Sequence, residues 1–148
     1  MIARGIHHLG LAATGDTLTE YHLQAGIAAC HSTAADDAAT DWPRILALYD
    51  RLVEMSASPI IALNRAVAVA RVHGPRTGLD AMANVRGLST YHLLHAVRGA
   101  LEEELGNFPA ALTHLRTAES LAELPSEKTF LAQQIRECEE RSARPAFP

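Results

Sequence analysis

Asn64 and Arg65 stand side by side inside SPIIALNRAVAVARVHGP, residues 58–75, where most other residues are apolar and small. A guanidinium can grip a carboxylate through paired N–H donors, and a primary amide can hold an extended backbone by donating and accepting at once. The pair therefore suits recognition of a polypeptide. It also suits internal work, with Asn64 tying a neighbouring backbone and Arg65 pairing with an acid on an adjacent helix, because buried polar groups need partners for structural reasons alone. His92, His95 and Arg98 follow at steps of three, a spacing that shares one helix face, and offer a second set of polar side chains for a protein-binding groove. His22 and Gln24 offer a smaller set earlier in the chain.

Other chemistries find less support. His92-x-x-His95 and the doublet His7-His8 invite zinc, but zinc takes three or four ligands and no Cys or acid falls at a helpful spacing. No metal and no cofactor is expected. Cys30 and His31 are sequence neighbours, which on a helix do not face each other, so a thiolate–imidazole pair is not expected. There is no phosphate loop, no Gly-rich dinucleotide turn and no paired-carboxylate arrangement that spacing can support. The chain reads as a non-enzyme. Glu102, Glu103 and Glu104 read as a solvated face, and Trp42 and Tyr49 as core.

The 148 residues suit one domain, expected over 1–142 with a frayed tail at 143–148. Apolar residues make up 48% and charged residues 20%, rich in Ala, Leu, Arg and Glu, which favours helix. A formal charge of -4, with Lys128 the only lysine, argues against a nucleic-acid face, since phosphate neutralisation needs clustered cations. Two distant cysteines suggest reduced thiols, no apolar run reaches bilayer length, and MIARGIHHLG lacks the apolar core of a secretion signal. A cytoplasmic chain is expected.

Punctuation divides the chain into about eight helices, near 2–13, 19–33, 41–55, 58–73, 75–85, 89–105, 108–122 and 125–141, with AADDAAT as a loop. Asp41 before Trp42-Pro43 and Ser58 before Pro59 are N-cap signals, and Gly74-Pro75 is a stop followed by a new start. In the alternating run AVAVARV a strand competes, but the unbroken stretch to His73 is long for a strand and starts like a helix.

The corners Asp41-Trp42, Pro75-Arg76 and Asn107-Phe108 are spaced by 34 and 32 residues, and Ile45, Leu79 and Ala111 follow them in register. YHLQAGIAA at 21–29 returns as YHLLHAVRGA at 91–100. Two helices per period of this length is the tetratricopeptide signature. The expectation is an all-α fold of antiparallel helix pairs stacked as a tetratricopeptide-like right-handed solenoid, in which inner helices are apolar over most of their circumference. The unit GNFPAALTHLRTAESLAE fits best, with Gly106 at the turn, Ala111 and Ala118 at helix crossings and Gly99 opposite. The middle unit departs, with Arg76 where an aromatic is usual.

TDWPRILALYDRLVEMSASPIIALNRAVAVARVHGP, 40–75, closely resembles a stretch of the C-terminal tetratricopeptide-like extension of extracytoplasmic-function-type bacterial RNA polymerase sigma factors, members of the sigma-70 superfamily. YHLQAGIAACHS, YHLLHAVRGALEEELG and EKTFLAQQI resemble the same extension, so that the likeness runs from about residue 2 to 141. In that family the extension follows two modules for promoter recognition and polymerase binding, and neither lies within these residues. The resemblance implies a regulatory interaction domain acting in transcription initiation, with sigma-factor N-terminal modules or the RNA polymerase core as protein partner. It carries over no catalytic residue, and neither direct nucleic-acid binding nor membrane binding is expected of this chain. A free-standing helical-repeat adaptor and a small-ligand-sensing helical domain are the alternative expectations.

Overall fold

The computed structural model describes residues 15–33 and 40–144. The described residues form seven α-helices and no strand: α1 Gly15–Thr33, α2 Trp42–Met55, α3 Pro59–His73, α4 Pro75–Met82, α5 His92–Glu104, α6 Phe108–Leu121 and α7 Pro125–Ala143. The all-α expectation holds. The helix expected at 2–13, the doublet His7-His8, most of the loop AADDAAT and the end of the tail lie outside the described residues.

Local chemistry sets the boundaries. The Asp41 carboxylate accepts from the Arg44 N–H at 3.2 Å, and the Ser58 hydroxyl accepts from the Ile61 N–H at 3.5 Å, each with proline in the first turn. Gly74, at φ 100°, separates α3 from α4, and Gly106, at φ 80°, separates α5 from α6. Positive φ costs glycine little, which is why these two positions turn the chain. The fifth expected helix stops early, at Met82, because Ala83, Asn84 and Val85 donate three residues back in a tightened turn. The sixth starts late, because the Tyr91 N–H first closes a turn on the Leu88 carbonyl.

Each helix packs on its sequence neighbours, most extensively α5 on α6 and α3 on α4. Small residues permit the close approaches. A Cβ at Gly78 would collide with Ala70 across the α3–α4 hairpin. A Cβ at Gly99 would stand 2.8 Å from the Leu115 side chain and 3.2 Å from the Ala111 carbonyl oxygen across α5–α6. Ala111 and Ala118 are fully buried at that crossing.

Three apolar clusters follow one another along the chain. The first joins Leu23 and Ile27 of α1 to Ile45 and Leu52 of α2 and to Ile61, Ala68 and Val69 of α3. The second takes Leu63, Ala66 and Ala70 from the other side of α3 and adds Met82, Val85, Leu94 and Leu101. The third joins α6 and α7 through Ala111, Leu115, Leu131, Ile135 and Cys138. The α3 helix thus contributes to two clusters, which explains its nearly unbroken apolar sequence. Its alternating run AVAVA serves opposite sides of one helix.

Candidate functional site

Asn64 and Arg65 lie on α3 and both reach toward α2. The Asn64 side chain lies near the Tyr49 hydroxyl, whose pKa is pushed up by burial and partly drawn back by Asn64. The Arg65 Nε donates to the Asp50 carboxylate at 2.7 Å, and both side chains remain partly in solvent. Adjacent residues of α3 therefore meet adjacent residues of α2. Arg65 and Asp50 also border an open hollow of about 390 Å³ between α2, α3 and α4, where His73, Thr77, Asp80 and Asn84 supply further polar groups. Asn64, exposed, is not part of its lining.

His92, His95 and Arg98 share α5 but not one strip. Steps of three fall short of a 3.6-residue turn, so each step rotates the side chain around the helix. His92 Nε2 lies 3.5 Å from the Glu127 carboxylate of α7. His95 Nε2 is 2.7 Å from the Ser89 carbonyl in the preceding turn, the geometry of a ring N–H donating to it. Arg98 and His95 both lie near His114 of α6. Burial first, then the Arg98 charge, holds the His114 imidazole below the usual histidine range, with Glu102 opposing and His95 adding to the effect. The five residues thus fall into three local settings: α2–α3, α5–α7 and α5–α6.

The ends of alternate helices are linked by ion pairs. Arg71 Nη1 at the end of α3 is 3.9 Å from Glu104 at the end of α5, and Arg141 Nη1 in the last turn of α7 is 2.6 Å from Glu103. With His92 and Glu127 in the first turns of α5 and α7, these pairs show that α5 and α7 lie side by side and run in the same direction. Arg71 and Arg141 also rest over the rings of Trp42 and Phe108, at 5.9 and 5.6 Å from the centroids.

Among the described residues no group of three or more His, Cys, Asp or Glu side chains could hold a metal ion. Cys138 is fully buried, and burial, aided by Glu103, raises its thiol pKa; Cys30 is half-buried, and both are free thiols. No described helix is long and apolar enough to cross a membrane.

Sequence reasoning passed over Leu93 and Phe130, 43% and 61% exposed, which line a hollow of about 300 Å³ between α5 and α7. The available signal was an apolar residue immediately before a buried one: Leu93 precedes Leu94, and Phe130 precedes Leu131, each pair 37 residues apart.

An uncharacterized protein of Rhizobium meliloti (strain 1021) is 40% identical over 117 residues, which make up 78% of this chain and 27% of that protein. The chain therefore spans little more than a quarter of the relative it matches. No family model matches the chain. No solved structure matches it either.

Proposed function

We propose that the chain is a tetratricopeptide-like protein-interaction domain that regulates a sigma factor in transcription initiation, by contacting the sigma modules or RNA polymerase in the cytoplasm. The observation that carries the interaction reading is the side-by-side, same-direction setting of α5 and α7, with α3 joined to α5 through Arg71 and Glu104. Helices repeated in this way form a broad surface that takes an extended or helical segment of another protein. The transcription reading rests on the resemblance of residues 40–75 and of the YHL blocks to the sigma-factor extension. Occurrence of a similar sequence inside a much longer protein agrees with a domain that works as part of a larger chain. The hollow beside Arg65 and Asp50 supplies polar recognition, and no catalytic residue, cofactor or direct nucleic-acid contact is assigned.

A sigma factor carrying this chain as its C-terminal part provides the test. Asn64→Ala with Arg65→Ala is expected to leave the helical circular-dichroism spectrum unchanged and to lower sigma-dependent transcription in vitro. Unchanged transcription would remove these two residues from the working surface.

A further inference from the structure

Two neighbouring hollows share His92 and Glu127. The first, between α5 and α7, has a mainly apolar lining from Leu93, Ala96, Phe130 and Leu131. The second, about 410 Å³, lies on the other side of the His92–Glu127 pair and adds Tyr91, Leu121, Leu124 and Glu123. Phe130 and Leu124 are the two most exposed large apolar side chains among the described residues, at 61% and 57%. The acidic groups are Glu127, which lines both hollows, and Glu123, which lines the second; no Lys or Arg lines either. No ion pair among the described residues engages Glu123. Glu127 meets only the His92 ring and, through its other oxygen, the Leu124 N–H at 3.2 Å.

We infer that this double hollow is a docking groove for a basic amphipathic polypeptide segment, one that seats an apolar side chain between Leu93 and Phe130 and sets Lys or Arg against Glu123 and Glu127. The charges choose the sign of the occupant. A carboxylate-rich segment or an anionic lipid surface would bring like charge to two carboxylates, at a cost, in a chain already at -4. The dimensions choose a polypeptide. At about 300 and 410 Å³ each hollow has room for more than one large side chain, and the pair runs along the helix starts as successive anchors of a bound segment would. Ile60, 42% exposed at the second position of α3, matches Leu93 at the second position of α5. They are 33 residues apart, the same separation as the ion-paired Arg71 and Glu104, so the apolar row has a counterpart on α3.

The inference rests on the reading of the chain as a protein-interaction domain, and not on a role in transcription. The probe is a fluorescein-labelled synthetic peptide of leucine and lysine, patterned as an amphipathic helix of about 14 residues, with a leucine–glutamate counterpart. Fluorescence anisotropy with the full 148-residue chain is expected to show saturable binding of the lysine peptide and binding at least about tenfold weaker for the glutamate peptide. Phe130→Ser is expected to weaken lysine-peptide binding about tenfold with the circular-dichroism spectrum unchanged, since this ring is mostly in solvent. Glu123→Gln with Glu127→Gln is expected to remove the preference between the peptides. Equal binding of both peptides, or lysine-peptide binding indifferent to Phe130→Ser, overturns the inference. So does a chain that sediments as a dimer and becomes monomeric with Phe130→Ser, because a second copy is then the occupant. Peptide binding with no binding to either polymerase or the sigma modules would refute the transcription reading alone. Polymerase binding untouched by Phe130→Ser, with no peptide binding, would refute the groove alone.

Discussion

The Arg65–Asp50 contact is short, but both side chains are partly hydrated, 37% and 50% exposed. Exposed ion pairs contribute at most about 1 kcal/mol, because water screens the charges and two long side chains lose freedom. Arg65→Ala is therefore expected to cost no more than about 1 kcal/mol in urea unfolding. A loss several times larger would mean that Arg65 anchors α2 to α3 structurally and is not available to a partner. His114 behaves differently, since burial and the Arg98 charge hold its folded-state pKa below the ordinary 6.5. As the pH falls, the unfolded chain takes up this proton first. The contribution is intact above about pH 6.5 and is lost progressively as the pH falls through that value toward the lower folded-state pKa. The urea midpoint is expected to fall between about pH 8 and about pH 5, and His114→Asn should flatten that slope. An unchanged slope in the variant would place the pH dependence elsewhere.

At the scale of elements, capping and glycine chemistry made most helix boundaries legible. Asp41, Ser58, Gly74 and Gly106 act where their residue types indicate, and α2, α3, α6 and α7 start at the residues that follow those signals or their proline counterparts. Three boundaries differ most from expectation: α1 begins at Gly15, four residues before Thr19, and α4 ends at Met82 and α5 begins at His92 where backbone turns close next to residues that are neither Gly nor Pro. Facing partners were harder to read. Asp50 as the counter-ion of Arg65, and Glu127 as the neighbour of the His92 ring, come from other helices, and their identity depends on helix rotation that periodicity leaves open. The same holds for the α5–α7 groove, whose walls belong to helices that are not consecutive in sequence. Two glycines separate propensity from packing. A methyl group at Gly99 would press on Leu115 and on the backbone oxygen of Ala111, while one at Gly26 would touch only the flexible Leu48 side chain, at 3.3 Å. Gly99→Ala is expected to destabilise by about 1–3 kcal/mol, because overpacking outweighs helix propensity. Gly26→Ala is expected to be neutral or stabilising by up to about 1 kcal/mol. Thermal melts of the two variants, compared with the parent chain, check the contrast; equal effects would mean that the α5–α6 crossing is loose.

Across the molecule, the apolar clusters sit in series, and α3 belongs to two of them. Such an arrangement leaves helix surfaces open along its length. Those surfaces carry two different chemistries: a polar hollow around Arg65 and Asp50, and an apolar, acid-rimmed groove between α5 and α7. Surfaces of this kind suit the proposed interaction role. The most direct measurement is binding of the immobilised chain to purified core RNA polymerase and, separately, to the promoter-recognition and polymerase-binding modules of an extracytoplasmic-function sigma factor from the same cells. Saturable binding to one of them, retained in a salt titration, is the predicted result. Absence of binding to both, by a chain whose circular dichroism shows the folded helical state, would contradict the proposed role in transcription initiation.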